Sequence, residues 1–320
     1  MEPLITALWG QGCYYNEKCP EDENGECGHA VTGCVATAMA QIMHYWGYPE
    51  NGTGSYSYTP SGYPEQYVDF GSTTYNWSNM PNRLYASSTS EQIDAVATLS
   101  WHCGVAVKMS YGPNASGAFS GWVRFALTDY FGYSNELSYE YRANYPDAIW
   151  KAKLKDCLNL GRPIYYSGSG ASSGHAFVCD GYDASEMFHF NWGWSGMSNG
   201  YFAIGALYGY SGIFFDFNDD NNAVFNIHPQ GETTNYVINV SAKNVEGGNV
   251  SGGGTFAHGT NVTLSATANS GYCFCYWEEN GGIASTNPNY SFTANYNTGR
   301  TCRTGRASAG RRDSGRCGRR

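Results

Sequence analysis

Residues 28–46, GHAVTGCVATAMAQIMHYW, constrain this chain more than any other segment. From Cys34 onward the run is apolar with a helical period: Val35, Met39, Ile42 and Trp46 share one face, and Ala36, Ala38, Ala40 and Met43 fill in beside them. Gly47 then supplies a stop. A helix opening at Cys34 sets the thiol among the free N–H groups of a first turn, at the positive end of the helix dipole. Both features stabilise the thiolate, which is the nucleophilic form. The segment alone leaves two readings open, an activated nucleophile or a buried structural cysteine packed among small residues.

A chain of 320 residues has room for one large domain and one small one. Charged residues make up only 14%, against 41 glycines and 27 tyrosines, which gives the uncharged polar surface and frequent turns of a secreted protein. Aromatic and aliphatic residues are too plentiful for a disordered chain. No run of about 18 apolar residues exists, so no membrane span is expected. The net charge of −9 conceals a split, because residues 300–320 hold eight Arg and one Asp, a net +7, which leaves −16 for the remainder. That balance provides no basic patch for a nucleic acid.

Of the 11 cysteines, Cys13, Cys19 and Cys27 lie in a polar loop suited to a disulfide. Cys103, Cys157 and Cys179 sit in apolar patterns and read as buried thiols, and the odd count is compatible with a free thiol. Met1 leads directly into EPLITALWGQGCYYN, which already reads as folded domain, so the expectation is a chain without its signal peptide or upstream segments.

Residues 1–27 and 50–82 read as loops. Further helices are expected over 90–103, with Thr89 and Gln92 at capping-box spacing, over 120–131 with a stop at Gly132, and over 147–160 before Gly161. The pattern then switches to short strands, RPIYYSG, HAFVCDGY, MFHFNWGW, GYFAIG and NAVFNIHP. Helices followed by an antiparallel sheet give an α+β domain over 1–230. Residues 234–299 alternate as a small all-β module, which is expected to break off near Asn297 with its last strand missing. The arginine- and glycine-rich stretch 300–320 reads as a disordered or artefactual tail.

A cysteine nucleophile needs a base, and the base needs an orienting partner. Among seven histidines, His175 is delivered by the Gly/Ser-rich loop of SGSGASSGHAFVCDGY into an apolar strand. Taken alone it reads as a solvent-exposed strand-start histidine. Asn191, in FHFNWGWSG, follows sixteen residues later, within reach of an adjacent strand. Its side-chain carbonyl is expected to accept from the imidazole, with Trp192 shielding that bond from water. Gln11, in WGQGCYYN, offers an amide that with the Cys34 N–H would form an oxyanion hole.

The order Gln11, helix-opening Cys34, Gly-His strand and Asn-Trp-Gly-Trp strand is that of papain-like cysteine peptidases. Within these, QGCYYNEKCP, GHAVTGCVATAMAQIMHYWGYPENGTGSYSY, GRPIYYSGSGASSGHAFVCDGYD and FHFNWGWSGMSNGYF resemble the streptopain family of secreted bacterial cysteine peptidases over residues 3 to about 230. The resemblance implies a papain-like fold and a secreted endopeptidase made as a proenzyme, with Cys34 and His175 as the catalytic pair. It also implies Gln11 as oxyanion donor, Asn191 and Trp192 orienting the histidine, and no metal or organic cofactor. It further implies that Gly174 holds the substrate backbone and that the 116–121 loop, with Ser120, lines the subsite one residue upstream of the cut, which favours a bulky apolar side chain. The implied partners are protein or peptide substrates and the enzyme's own propeptide, absent here, as inhibitor. The segment between Gln11 and Cys34 departs from the family in being shorter and in carrying three cysteines. The β module resembles Gly-rich repeats of bacterial surface proteins, which implies secretion or contact with a cell surface.

Competing readings are weaker. Cys19, Cys27, His29 and Cys34 fit no standard zinc spacing. Gly168, Gly170 and Gly174 are followed by a strand rather than the helix that a dinucleotide loop requires. DFNDDNN at 216–222 lacks the Gly and closing Glu of a calcium loop. In the module, Tyr272, Phe274, Tyr276 and Trp277 read as core rather than as a binding face. A surface adhesin on a silent peptidase scaffold is the functional alternative.

Overall fold

A computed structural model describes residues 1–170, 174–211, 214–231, 235–279, 281–294 and 298–306. The chain divides into two units, 1–232 and 233–320. The first contains α1 (Cys34–Trp46), the hairpin β1 (Ser55–Tyr58) and β2 (Gln66–Asp69), α2 (Ser90–Ala106), α3 (Trp122–Phe131), β3 (Ser138–Tyr141) and α4 (Asp147–Asn159). There follow β4 (Ile164–Ser169), β5 (Gly174–Tyr182), β6 (Phe188–Asn191), β7 (Gly200–Phe202), the pair β8 (Tyr208–Tyr210) and β9 (Phe214–Asp216), and β10 (Asp219–Phe225).

The helices begin and end where local chemistry directs. Gly33 precedes α1 at φ 90°, and Gly47 closes it in the left-handed region at φ 55°. At α2 the reciprocal Thr89–Gln92 box satisfies two otherwise free N–H groups. Gly132 ends α3 at φ 65°. That helix starts at Trp122, two residues later than its sequence suggests, because Trp122 and Val123 N–H turn back to the carbonyls of Phe119 and Ser120.

Six strands form one antiparallel sheet in the order β3-β10-β4-β5-β6-β7. Both of its faces are buried. Tyr165, Ala176, Val178 and Val224 pack with the core of α1, α2 and α3. Ile164, Tyr166, Phe177, Cys179, Ala223 and Phe225 pack on the other side with Trp150 and Leu154 of α4. Each fully buried Val, Ile, Leu or Phe side chain among these contributes roughly 1.5–3 kcal/mol through apolar burial. Cys13 and Cys27 are joined in a disulfide, and Cys19, Cys103, Cys157 and Cys179 are buried thiols. Cys27, weighed above as a metal ligand, is therefore committed elsewhere.

The second unit is all β. Its strands are β11 (Asn235–Ala242), β12 (Gly248–Ser251), β13 (Gly254–Ala257), β14 (Asn261–Ala268), β15 (Tyr272–Glu279), β16 (Gly282–Ser285), β17 (Asn289–Thr293) and β18 (Thr298–Arg306). They form sheets in the orders β13-β11-β18-β15-β16 and β12-β14-β17. Trp277 is fully buried with Tyr236, Ile238, Val262 and Leu264, and Phe274 packs against that cluster.

The expectation that the module stops near Asn297 does not hold for 298–306. There β18 lies inside the sheet, parallel to β11 and antiparallel to β15. Thr298, Arg300 and Cys302 alternate inward. Arg300 is 3% exposed, pairs with Glu279 at 3.1 Å and stacks on the Phe292 ring. A paired, ring-stacked guanidinium can occupy a core position that an isolated charge cannot, which is why the arginine-rich sequence concealed a strand. Residues 307–320 lie outside the described residues.

Candidate active site

Cys34 is the first residue of α1, and His175 is the second residue of β5. Both line one cavity of about 730 Å³. Its other walls are the 115–120 loop, Tyr139 and Tyr141 of β3, Ser167–Ser169 of β4, and Asp220 and Asn222 of β10. Gly174 and Ser120 also line it, and the Ser120 hydroxyl meets Tyr165 Oη at 2.8 Å and Ser167 Oγ at 3.1 Å.

The Cys34 sulfur lies among backbone N–H groups, those of Ala176, Val35 and Cys34 itself. Burial pushes the thiol upward more strongly than these amides pull it down. The helix terminus thus works against desolvation instead of setting the thiolate by itself. The amide contributed by Ala176, the residue after His175, ties the two halves of the site together.

Burial pushes the His175 imidazole down to about 4, opposed by its bond to a carbonyl. That partner is the Trp192 backbone oxygen, 2.8 Å from Nε2. A carbonyl only accepts, so Nε2 carries a proton and the neutral ring keeps the Nδ1 lone pair free. The ring stacks on Trp194 with centroids 4.6 Å apart and lies 5.1 Å from Phe217.

Asn191 does not hold the imidazole in the expected way. It pairs across the ladder with Val178, three residues or about 10 Å along β5 from His175. Partners directly opposite share a face, so Asn191 points to the side of Val178 and away from that of His175 and Phe177. Its Nδ2 donates to Ala7 O at 2.8 Å, and its Oδ1 accepts from Gly193 N at 3.1 Å. Trp192 is fully buried, with its amide held by Asn199 and its indole by Ser198 O. Gln11 does not line the cavity; its carbonyl accepts from Thr32 N–H at 2.9 Å, two residues before Cys34. Sequence reasoning missed Trp194, visible only as the second Trp of Asn-Trp-Gly-Trp, and Tyr139 and Tyr141, whose strand pairs with β10 more than 80 residues on.

Residues 9–202 match the peptidase C10 family. The chain belongs to that family. C10 relatives include thiol protease/hemagglutinin PrtT of Porphyromonas gingivalis, 41% identical over 62% of this chain, and streptopain of Streptococcus pyogenes, 36% identical over 71%. The chain spans 23% of the length of the first and 64% of the second. Active wild-type interpain A cysteine protease of Prevotella intermedia superposes with a TM-score of 0.65 at 38% identity, covering 70% of this chain and 93% of that one. A mutant fragment of prointerpain A from the same organism gives 0.62, covering 70% of each. The first unit is thus the papain-like, α+β, cysteine-type peptidase domain of a C10 member. Residues 238–301 match the divergent InlB B-repeat domain.

Proposed function

We propose that the chain is a secreted bacterial cysteine endopeptidase that cleaves proteins by acyl transfer, with Cys34 as nucleophile and His175 as acid and base. The observation that carries this reading is the single cavity lined by both residues, with the Ala176 amide at the Cys34 sulfur. Burial disfavours either charge alone. Moving the thiol proton to imidazole leaves the cavity's net charge unchanged, and the two charges then stabilise each other.

The Cys34 thiolate attacks the peptide carbonyl, and the Cys34 N–H with the Gln11 amide receives the oxyanion, each donor contributing about 3 kcal/mol. His175 protonates the departing amine and then draws a proton from the water that releases the acyl group. The Trp192 carbonyl fixes the imidazole, Asn191 supports that carbonyl, and Gly174 holds the substrate chain. Ala118, Phe119, Tyr139 and Ser120 form the upstream subsite and suit a bulky apolar side chain. The propeptide acts as inhibitor before maturation, and the C-terminal module retains the enzyme at a cell surface.

Peptide mapping after treatment with an epoxysuccinyl inhibitor is expected to find Cys34 modified and the buried Cys19, Cys103, Cys157 and Cys179 untouched. Cys34→Ala is expected to lower hydrolysis of a denatured protein by at least about 10³-fold with an unchanged circular dichroism spectrum. Near wild-type turnover in that variant would overturn the proposal.

A further inference from the structure

The cleft has one aromatic wall and one carboxylate. Among the described residues lining it, Asp220 alone carries a carboxyl group. Its position is built by the backbone. The pairing of β10 with β4 runs regularly from Val224 to Asn222 and then shifts register before Asp219. Asp220 sits within that bulge at φ 46°, a left-handed conformation that aspartate tolerates better than most side chains. Asn222, two residues on and in the regular part of the ladder, lines the same cavity. The Ser169 hydroxyl donates to Asp220 Oδ2 at 3.2 Å, which leaves acceptor capacity on the carboxylate.

The location relative to the reacting groups follows from the sheet. His175 pairs with Gly168 on β4, whose other neighbour is β10. The Asp220 backbone therefore lies two strands, roughly 10 Å, from that of the histidine across the sheet. That is the reach of a substrate side chain one to three residues from the cut. It is also the wall that Ser167, Ser169 and Asn222 share with the upstream loop 115–120.

We propose that Asp220 is a specificity-determining residue that selects substrates carrying a lysine or arginine within three residues upstream of the scissile bond. The proposal rests on the peptidase reading above. The methylene stem of such a side chain packs along the aromatic wall while its cation meets the carboxylate. Because Asp220 is exposed, the discrimination is modest and sensitive to salt.

The test uses the full chain and matched fluorogenic peptides that carry lysine or norleucine at each of the three upstream positions in turn. Active sites are first counted by epoxysuccinyl labelling of Cys34. At low salt, kcat/KM for the lysine peptide is expected to exceed that for its norleucine match about three- to fivefold at one position. Asp220→Asn retains a side chain that tolerates the same backbone and is expected to bring that ratio to about one; 0.5 M NaCl is expected to lower it in the wild type. A wild-type ratio of one at every position, or a lysine preference that survives in Asp220→Asn, overturns the assignment. Failure to cut any of the peptides despite labelled Cys34 would instead count against the peptidase reading.

Discussion

The two walls of the cleft hold their reactive groups by different means. Cys34 is placed by a single helix turn and the glycine before it, so its position is encoded within a few residues. His175 is placed by a carbonyl from beyond β6 and by rings of Trp194 and Phe217, 19 and 42 positions further along the chain. One wall is a local device. The other is a tertiary assembly that exists only once β5, β6 and β10 are in register. Damage to the first should register mainly as lost stability or a displaced thiol, and damage to the second as lost turnover.

Asn191→Ala should break the second wall most severely. It removes the bonds to Ala7 O and Gly193 N and frees the turn that presents the Trp192 carbonyl to the imidazole. A drift of about 1 Å there is expected to lower kcat by up to about 10²-fold with a much smaller change in KM. Steady-state kinetics on one peptide would check this, and an unchanged kcat would show that the histidine needs no such support. Gly33→Ala probes the first wall. Its added Cβ would lie 2.7 Å from Met109 Sδ and 3.0 Å from Ser116 O, at a φ that L residues avoid. Denaturant unfolding should report a loss of about 3 kcal/mol and slower labelling of Cys34. Thr89→Ala lies on neither wall. It opens the capping box of α2 and is expected to cost about 1 kcal/mol with no change in kcat.

The same contrast explains what could be read from the chain directly. The starts of α1, α2 and α4, the stops of α1 and α4, Gly132 after α3, and the run of strands from β4 to β7 were legible, because caps, glycines and short periodic runs act over a few residues, whereas α2 runs on to Ala106, three residues past its expected end. The placement of Cys34 at the start of a helix and of His175 at the start of a strand was legible for the same reason. The partner of His175 was not. Which face Asn191 points to depends on its pairing with Val178, and nothing in the Asn-Trp-Gly-Trp motif fixes that register. The Asp220 bulge was hidden among acidic turn residues, and β3 was hidden by the distance to its partner β10. In the C-terminal module, Arg300 disguised β18 because its burial depends on Glu279 and Phe292, from two other segments.

The central claim is that Cys34 and His175 exchange a proton across one cavity. The most direct measurement is the rate of Cys34 alkylation by iodoacetamide as a function of pH, in the wild type and in His175→Ala. In the wild type the imidazole accepts the thiol proton, so the rate should stay high through neutral pH and decline only on the acid side. In His175→Ala burial alone governs the thiol and holds it above the ordinary range, so the rate should be low at neutral pH and climb only as the solution becomes alkaline. Superimposable profiles for the two proteins would contradict the account.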